Sequence, residues 1–294
     1  MSMTIIKLQS GPSFAEILPS RGALISKLRF ADGDDVLWLP KNFDPNASSW
    51  PSGGLPFLFP FAGRVRHQGE LYKYAVEGHV FSMPLHGFSW ASPWALISST
   101  KNSATLKLAS SELTKANYPF EFELEMNLTL EESSLSVVVK ITHQQFSKKT
   151  TMSHMPVAVG WHPYVALPDH TGRLNIPAKT AFMVTPEGMA GPSMPVEGHL
   201  GKMPWALPKS ELQSLILGDL DQVSAEIQRA RDTLLMKATP RDAMNYVVTW
   251  TNEPESFICV EPWMSQPDAV AQPTGCRWLA PGETLSVHLA ISKA

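Results

Sequence analysis

Residues 120 to 141 constrain this chain more than any other stretch. Phe120, Phe122, Leu124, Met126, Leu128 and Leu130 alternate strictly with Glu121, Glu123, Glu125, Asn127 and Thr129. A β-strand sends successive side chains to opposite faces, so this period of two makes one apolar and one solvated face. After Glu131-Glu132-Ser133-Ser134 the alternation resumes through Leu135, Val137, Val139 and Ile141. The pattern predicts an antiparallel hairpin of two long strands, half wet and half buried, within a large sheet.

The remaining chain reads as many short strands. Its 25 prolines are spread over 294 residues, which argues against long helices. Phe14–Leu18 and Leu24–Phe30 are predicted strands, ended by Pro19-Ser20-Arg21-Gly22 and Ala31-Asp32-Gly33-Asp34. Val36–Leu39 is a short apolar strand before Pro40. Residues 51–63 carry too many prolines for a helix or central strand, yet they are apolar enough to be partly buried. Prolines at 168, 177, 186, 192, 195, 204 and 208 make that region loop-rich, and Ser210–Leu217 is predicted as one short helix capped by Ser210. No repeat, low-complexity tract or linker divides the chain, so 1–294 is read as one domain.

Composition excludes several function classes. Lys plus Arg is 24 and Asp plus Glu is 27, giving a net charge of −3. That is no electrostatic footprint for nucleic acid or an anionic membrane. No run approaches the roughly 20 apolar residues that span a bilayer, and the first residues lack the pattern of a secretory signal. Two cysteines, Cys259 and Cys276, make no disulfide framework and read as reduced thiols, so a cytoplasmic protein is expected. The nine histidines show no paired metal-ligand spacing, and neither a metal nor a cofactor is expected.

Three positions carry candidate chemistry. Phe257-Ile258-Cys259-Val260-Glu261-Pro262-Trp263 is an apolar β-type run that ends in Glu261, with Pro262 expected to stop further pairing. Taken alone, Glu261 reads first as a strand-end carboxylate pointing into solvent. In Val157-Ala158-Val159-Gly160-Trp161-His162-Pro163-Tyr164, period-two geometry puts His162 on a face with Gly160 and Ala158. A core histidine normally has bulkier neighbours, so the strip favours room for a ligand. Both His162 and Glu261 precede proline, which holds each in an extended conformation. Arg64, directly after the apolar 51–63 loop, belongs either to a packed corner or to a pocket wall.

Five pieces occur in order across residues 60 to 285: Phe61-Ala62-Gly63-Arg64, Leu85-His86-Gly87, Gly160-Trp161-His162-Pro163-Tyr164, Val260-Glu261-Pro262-Trp263 and Leu279-Ala280-Pro281-Gly282-Glu283. Together they resemble the aldose 1-epimerase (galactose mutarotase-like) family. The resemblance implies an all-β fold, a large antiparallel β-sandwich whose concave face holds a sugar, with at most a few short helices. It implies that His162 is the general acid and Glu261 the general base. It further implies sugar contacts from Arg64, His86 and an aspartate, taken as Asp221 with Asp219 as its neighbour and rival. Tyr164 and Trp263 complete the expected substrate contacts. Several family members carry Asn where this chain has Gly63, which leaves one hydroxyl contact unaccounted for.

The implied partner is an aldose or sugar phosphate, bound by a monomer or homodimer. Gly53-Gly54-Leu55-Pro56 also resembles the hexose-6-phosphate branch, and Arg64 with Arg66 offers charge to meet a phosphate. A sugar-binding module without turnover is the alternative from another class. A glycosidase built on Glu261 and Asp221 would leave both histidine motifs unused.

Overall fold

The computed structural model describes residues 4–31, 33–144 and 153–294. Two large antiparallel sheets dominate it. One has nine strands, with Ser134–His143 between Thr284–Lys293 and Phe122–Leu130. The hairpin is as long as its alternation requires: Leu124 pairs Ile141, Met126 pairs Val139 and Leu128 pairs Val137. All six are buried, while the acidic partners between them are half-buried. Lys107 and Lys140 bridge Glu125 on the wet face.

The other sheet has eight strands and positions the candidate site. Its order is Ala190–Pro195, Ala178–Val184, Ser214–Leu220, Tyr246–Trp250, Phe257–Trp263, Gly160–Trp161 and Phe57–Leu58, with Tyr164–Ala166 also pairing the Phe257–Trp263 strand. Residues on this sheet sort by parity. Val247, Ile258, Val260, Leu215 and Leu217 join the main core between the sheets. Ile216, Val248 and Trp263 form a separate apolar cluster on the opposite, concave face. Phe257 and Cys259 join Tyr164 in a third. The Phe257–Trp263 strand is therefore buried along its whole length, which is why it reads as a continuous apolar run.

Glu261 is not the end of that strand. Pairing continues through Pro262, opposite Val247, to Trp263, opposite Tyr246. The Val260 N–H donates to Pro163 O at 3.3 Å. Donor direction alternates along a strand, so the Pro262 nitrogen faces the same side, at the break between Gly160–Trp161 and Tyr164–Ala166. A proline there forfeits no ladder bond.

The 51–63 stretch is buried despite its prolines because it acts as an acceptor. Ala158, His162 and Tyr164 donate their N–H groups to Pro60, Pro56 and Gly54 carbonyls. Proline lacks a donor but keeps its acceptor, so this segment lies against the sheet without orphaning an amide.

Three expectations change. Residues 168–208 hold strands, including Ala190–Pro195 and Trp205–Leu207, at the outer edges of the two sheets. An edge strand tolerates proline because its outer side needs no donor. Ser210–Leu217 is no helix: a 3-10 turn at Ser210–Leu212 leads into the strand Ser214–Leu220. Burial of the Leu215 and Leu217 face in the core outweighs the local capping signal. Val36–Leu39 is extended but makes only isolated pairing, at Leu37 with Val165. Among the described residues the α-helices are Glu112–Lys115 and Val196–Leu200, and no helix is long and apolar enough to cross a membrane.

Candidate active site

Glu261 and His162 reach one another across a strand boundary. Glu261 points to the concave face between Val248 on one neighbouring strand and the Gly160–Trp161 strand on the other. His162 follows Trp161 directly, and its N–H is held by Pro56 O at 3.0 Å. Its Nε2 lies 3.2 Å from Glu261 Oε1. The second carboxylate oxygen accepts a 3.1 Å hydrogen bond from Trp263 Nε1. Glu261 is 1% exposed and His162 5%.

The missing bulk at Gly160 has a different use from the one expected. A Cβ there would stand 2.6 Å from Trp263 Cδ1 and 2.9 Å from Pro262 O. The space accommodates the indole that binds Glu261, and the ligand room lies beyond it. Gly63 serves the same ring, since its Cβ would meet Trp263 Cζ3 at 3.1 Å. The sequence departure at Gly63 thus coincides with a tryptophan packed where a larger side chain would project.

Above the pair is a cavity of about 440 Å³. His86, Trp50 and His162 form one aromatic wall, with ring centroids 5.0 to 5.3 Å apart. Tyr164 stacks on His162 at 4.9 Å, and its hydroxyl accepts from Trp50 Nε1 at 2.8 Å. His86 has a left-handed backbone, φ 63°, and Gly87 follows with φ 70°. A Cβ on Gly87 would strike the Phe59 carbonyl, so glycine is required for the turn that presents His86. Arg64 stands at the other side of the cavity, against Gly188 and 3.5 Å from Pro186 O.

Burial sets the electrostatics. Desolvation pushes the Glu261 carboxyl well above its ordinary range, partly opposed by the Trp263 hydrogen bond. The same desolvation, with His86 nearby, holds His162 well below its ordinary value. His86 falls to about 3, again mainly through burial and further through the Arg64 charge. A carboxylate beside an imidazole ordinarily favours the protonated ring, and here desolvation opposes that. A neutral acid–imidazole pair and an ion pair differ only by moving one proton across the 3.2 Å contact.

His162, Glu261, Arg64, His86, Tyr164 and Trp263 all line this cavity. Asp221 does not. Its side chain is 89% exposed on a turn, 3.3 Å from Lys179 Nζ. Asp219 lines a separate polar hollow with Arg241, Asn245 and Ser265. Arg66 also points elsewhere, with its Nε 3.9 Å from Asp268 Oδ2, so the two arginines do not form a joint clamp. Trp50 and Trp250 are cavity residues the sequence reading omitted. Trp50 carried one signal, as a lone large aromatic between a small polar run and the glycine–proline segment.

His162, Cys259 and Glu261 offer donor atoms within 4.8 Å of one another, the set among the described residues with metal-ligand chemistry. Cys259 sits in an apolar cluster, where burial raises its thiol pKa far above the usual range and keeps it protonated. Both cysteines are free thiols.

The two-sheet fold has parallels among known proteins. A galactose mutarotase-like protein from Clostridium acetobutylicum superposes with a TM-score of 0.81 at 17% identity, covering 100% of this chain and 96% of that one. Another from Lactobacillus casei ATCC 334 gives 0.78 at 21% identity, covering 99% and 100%. In sequence, the plasmid-encoded LacX protein of Lactococcus lactis subsp. lactis is 23% identical over 256 residues, 82% of each chain. A shorter stretch of 108 residues is 29% identical to a Salmonella typhimurium protein named "Putative glucose-6-phosphate 1-epimerase", covering 35% of this chain and 32% of that one. The family model described as Aldose 1-epimerase matches residues 4–292, nearly the full length. This chain belongs to the aldose 1-epimerase family.

Proposed function

We propose that this protein interconverts the α and β anomers of an aldose by general acid–base ring opening and closure. The observation that carries the reading is the buried 3.2 Å contact between His162 Nε2 and Glu261 Oε1 at the floor of the cavity. Anomer exchange moves one proton off O1 and one onto the ring oxygen. Glu261 takes the O1 proton while His162 gives one to O5, and the C1–O5 bond breaks. The carbonyl turns about C1–C2, and the reverse transfers close the ring on its other face.

The pair begins as imidazolium and carboxylate and becomes imidazole and carboxylic acid when the ring is open. Its proton count is restored on closure. Burial favours the neutral form of the pair, so the charged form that starts the step is reached by moving one proton from Glu261 to His162 across their 3.2 Å contact. The Trp263 N–H fixes Oε2, so Oε1 is the oxygen that meets His162 at the cavity floor. Trp50, His86 and Trp263 supply flat faces for the sugar ring.

The test is exchange spectroscopy by NMR on equilibrated aldoses. Exchange faster than in buffer supports the reading; no acceleration with any hexose, pentose or hexose phosphate sinks it. A second reading, a hexose 6-phosphate as substrate, draws on Arg64. Among the described residues its guanidinium has no carboxylate within ion-pair distance, and it faces the cavity. Competition between free and phosphorylated hexoses separates the two.

A further inference from the structure

The wall beside Glu261 is hydrocarbon on three successive strands. The register puts Val248 opposite Glu261, Ile216 opposite Val248 and Phe182 opposite Ile216. All three join Trp263 in the concave-face cluster, with Val248 6% and Ile216 0% exposed. His162 lies on the opposite side of Glu261, after the Gly160–Trp161 strand. Crossing the sheet, the order is His162, Glu261, Val248, Ile216.

A sugar ring has its own order: O5, C1, C2. With His162 serving O5 and Glu261 serving O1 on C1, the next atom in the same direction is C2. It is carried over Val248 and Ile216. Along these strands the next side chains that line the cavity, Ser214 beyond Ile216 and Trp250 beyond Val248, are two residues on and therefore about 7 Å away. The aspartate expected to hold a hydroxyl, Asp221, is outside the cavity.

We propose that the preferred substrates are 2-deoxyaldoses, selected by Val248 and Ile216. This rests on the epimerase reading of the same site. A C2 hydroxyl over this wall gives up water without finding a partner, whereas a methylene fits at no polar cost. Apolar pockets discriminate against an added hydroxyl by up to about 100-fold.

The experiment measures NMR anomer exchange, above the rate in buffer, for matched pairs: 2-deoxy-D-glucose against D-glucose, and 2-deoxy-D-ribose against D-ribose. The expected result is a kcat/KM about 10- to 100-fold higher for the deoxy member of a pair. Val248→Thr keeps the side-chain shape and adds a hydroxyl; it lowers that ratio by roughly threefold or more by offering C2–OH a partner. Equal or better exchange of the 2-hydroxy sugars overturns the inference and leaves the epimerase reading standing. A ratio unchanged in a folded Val248→Thr protein also overturns it. Absence of exchange with every sugar removes the epimerase reading, and this inference with it.

Discussion

His162 Nε2 meets Glu261 Oε1 at 3.2 Å although 98 residues of chain lie between them. The contact exists because the Gly160–Trp161 and Phe257–Trp263 strands are hydrogen-bonded neighbours, paired at Gly160 and Trp263. Removing either titratable group while keeping its shape tests the proposed proton transfer directly. Glu261→Gln and His162→Asn are each expected to lower kcat by about 10²- to 10⁴-fold. Glu261→Gln also relieves a buried carboxyl, so its melting temperature stays level or rises. NMR exchange and calorimetry on the same samples check both outcomes.

Stability should respond to pH in opposite ways at the two ends of the site. His86 has a folded pKa of about 3, below its unfolded value of about 6.5. Its contribution is complete above the unfolded value and is lost as pH falls toward 3, by up to about 1.4 kcal/mol per pH unit. Glu261 is shifted upward, so its contribution is complete below the unfolded carboxylate pKa and is lost as pH rises. His86→Gln should therefore flatten the acid-side loss, and Glu261→Gln should steepen it relative to wild type. Urea titrations between pH 4 and 8 give the slopes; parallel curves for all three proteins would contradict the assignment.

Gly160→Ala drives a methyl group into Trp263 and the Pro262 carbonyl. Overpacking of this kind costs about 1–3 kcal/mol. It should also displace the indole from its hydrogen bond to Glu261. A lower melting temperature together with reduced sugar exchange is expected. A stable variant with wild-type exchange would show that the indole position is not needed.

Arg229 tests how the two sheets are joined. Its guanidinium takes both oxygens of Asp232 at 2.7 Å and donates to the carbonyls of Asp35 and Ala166. The two side chains are 1% and 2% exposed. Arg229→Met leaves Asp232 buried without its partner, at a cost of about 3–5 kcal/mol. Urea denaturation reads the loss, which Asp232→Asn in the same background should partly restore.

Much of the fold could be read locally. Strict alternation from Phe120 to Ile141 demanded a half-buried hairpin, because only one pairing register keeps every large apolar side chain on one face. Where local and tertiary preferences disagreed, tertiary burial decided: Leu215 and Leu217 reach the core only as strand residues, so Ser210–Leu217 gave up its helical signal. The prolines of 168–208 looked like loop markers until their strands proved to lie at sheet edges. Asp221 was indistinguishable in sequence from an inward aspartate, since one residue's shift on a strand or turn reverses the face it presents.

The sequence alone determined that strands would dominate and that Glu261 and His162 would sit on extended segments before prolines. It also contained the ordered pieces that mark the family. The 3.2 Å separation of the two groups, the indole seated over Gly160 and the hydrocarbon wall of Val248 and Ile216 came only with tertiary structure. Each depends on which strands lie side by side and in what register. Those choices are set by non-local burial summed over both sheets, and no local stretch of chain encodes that sum.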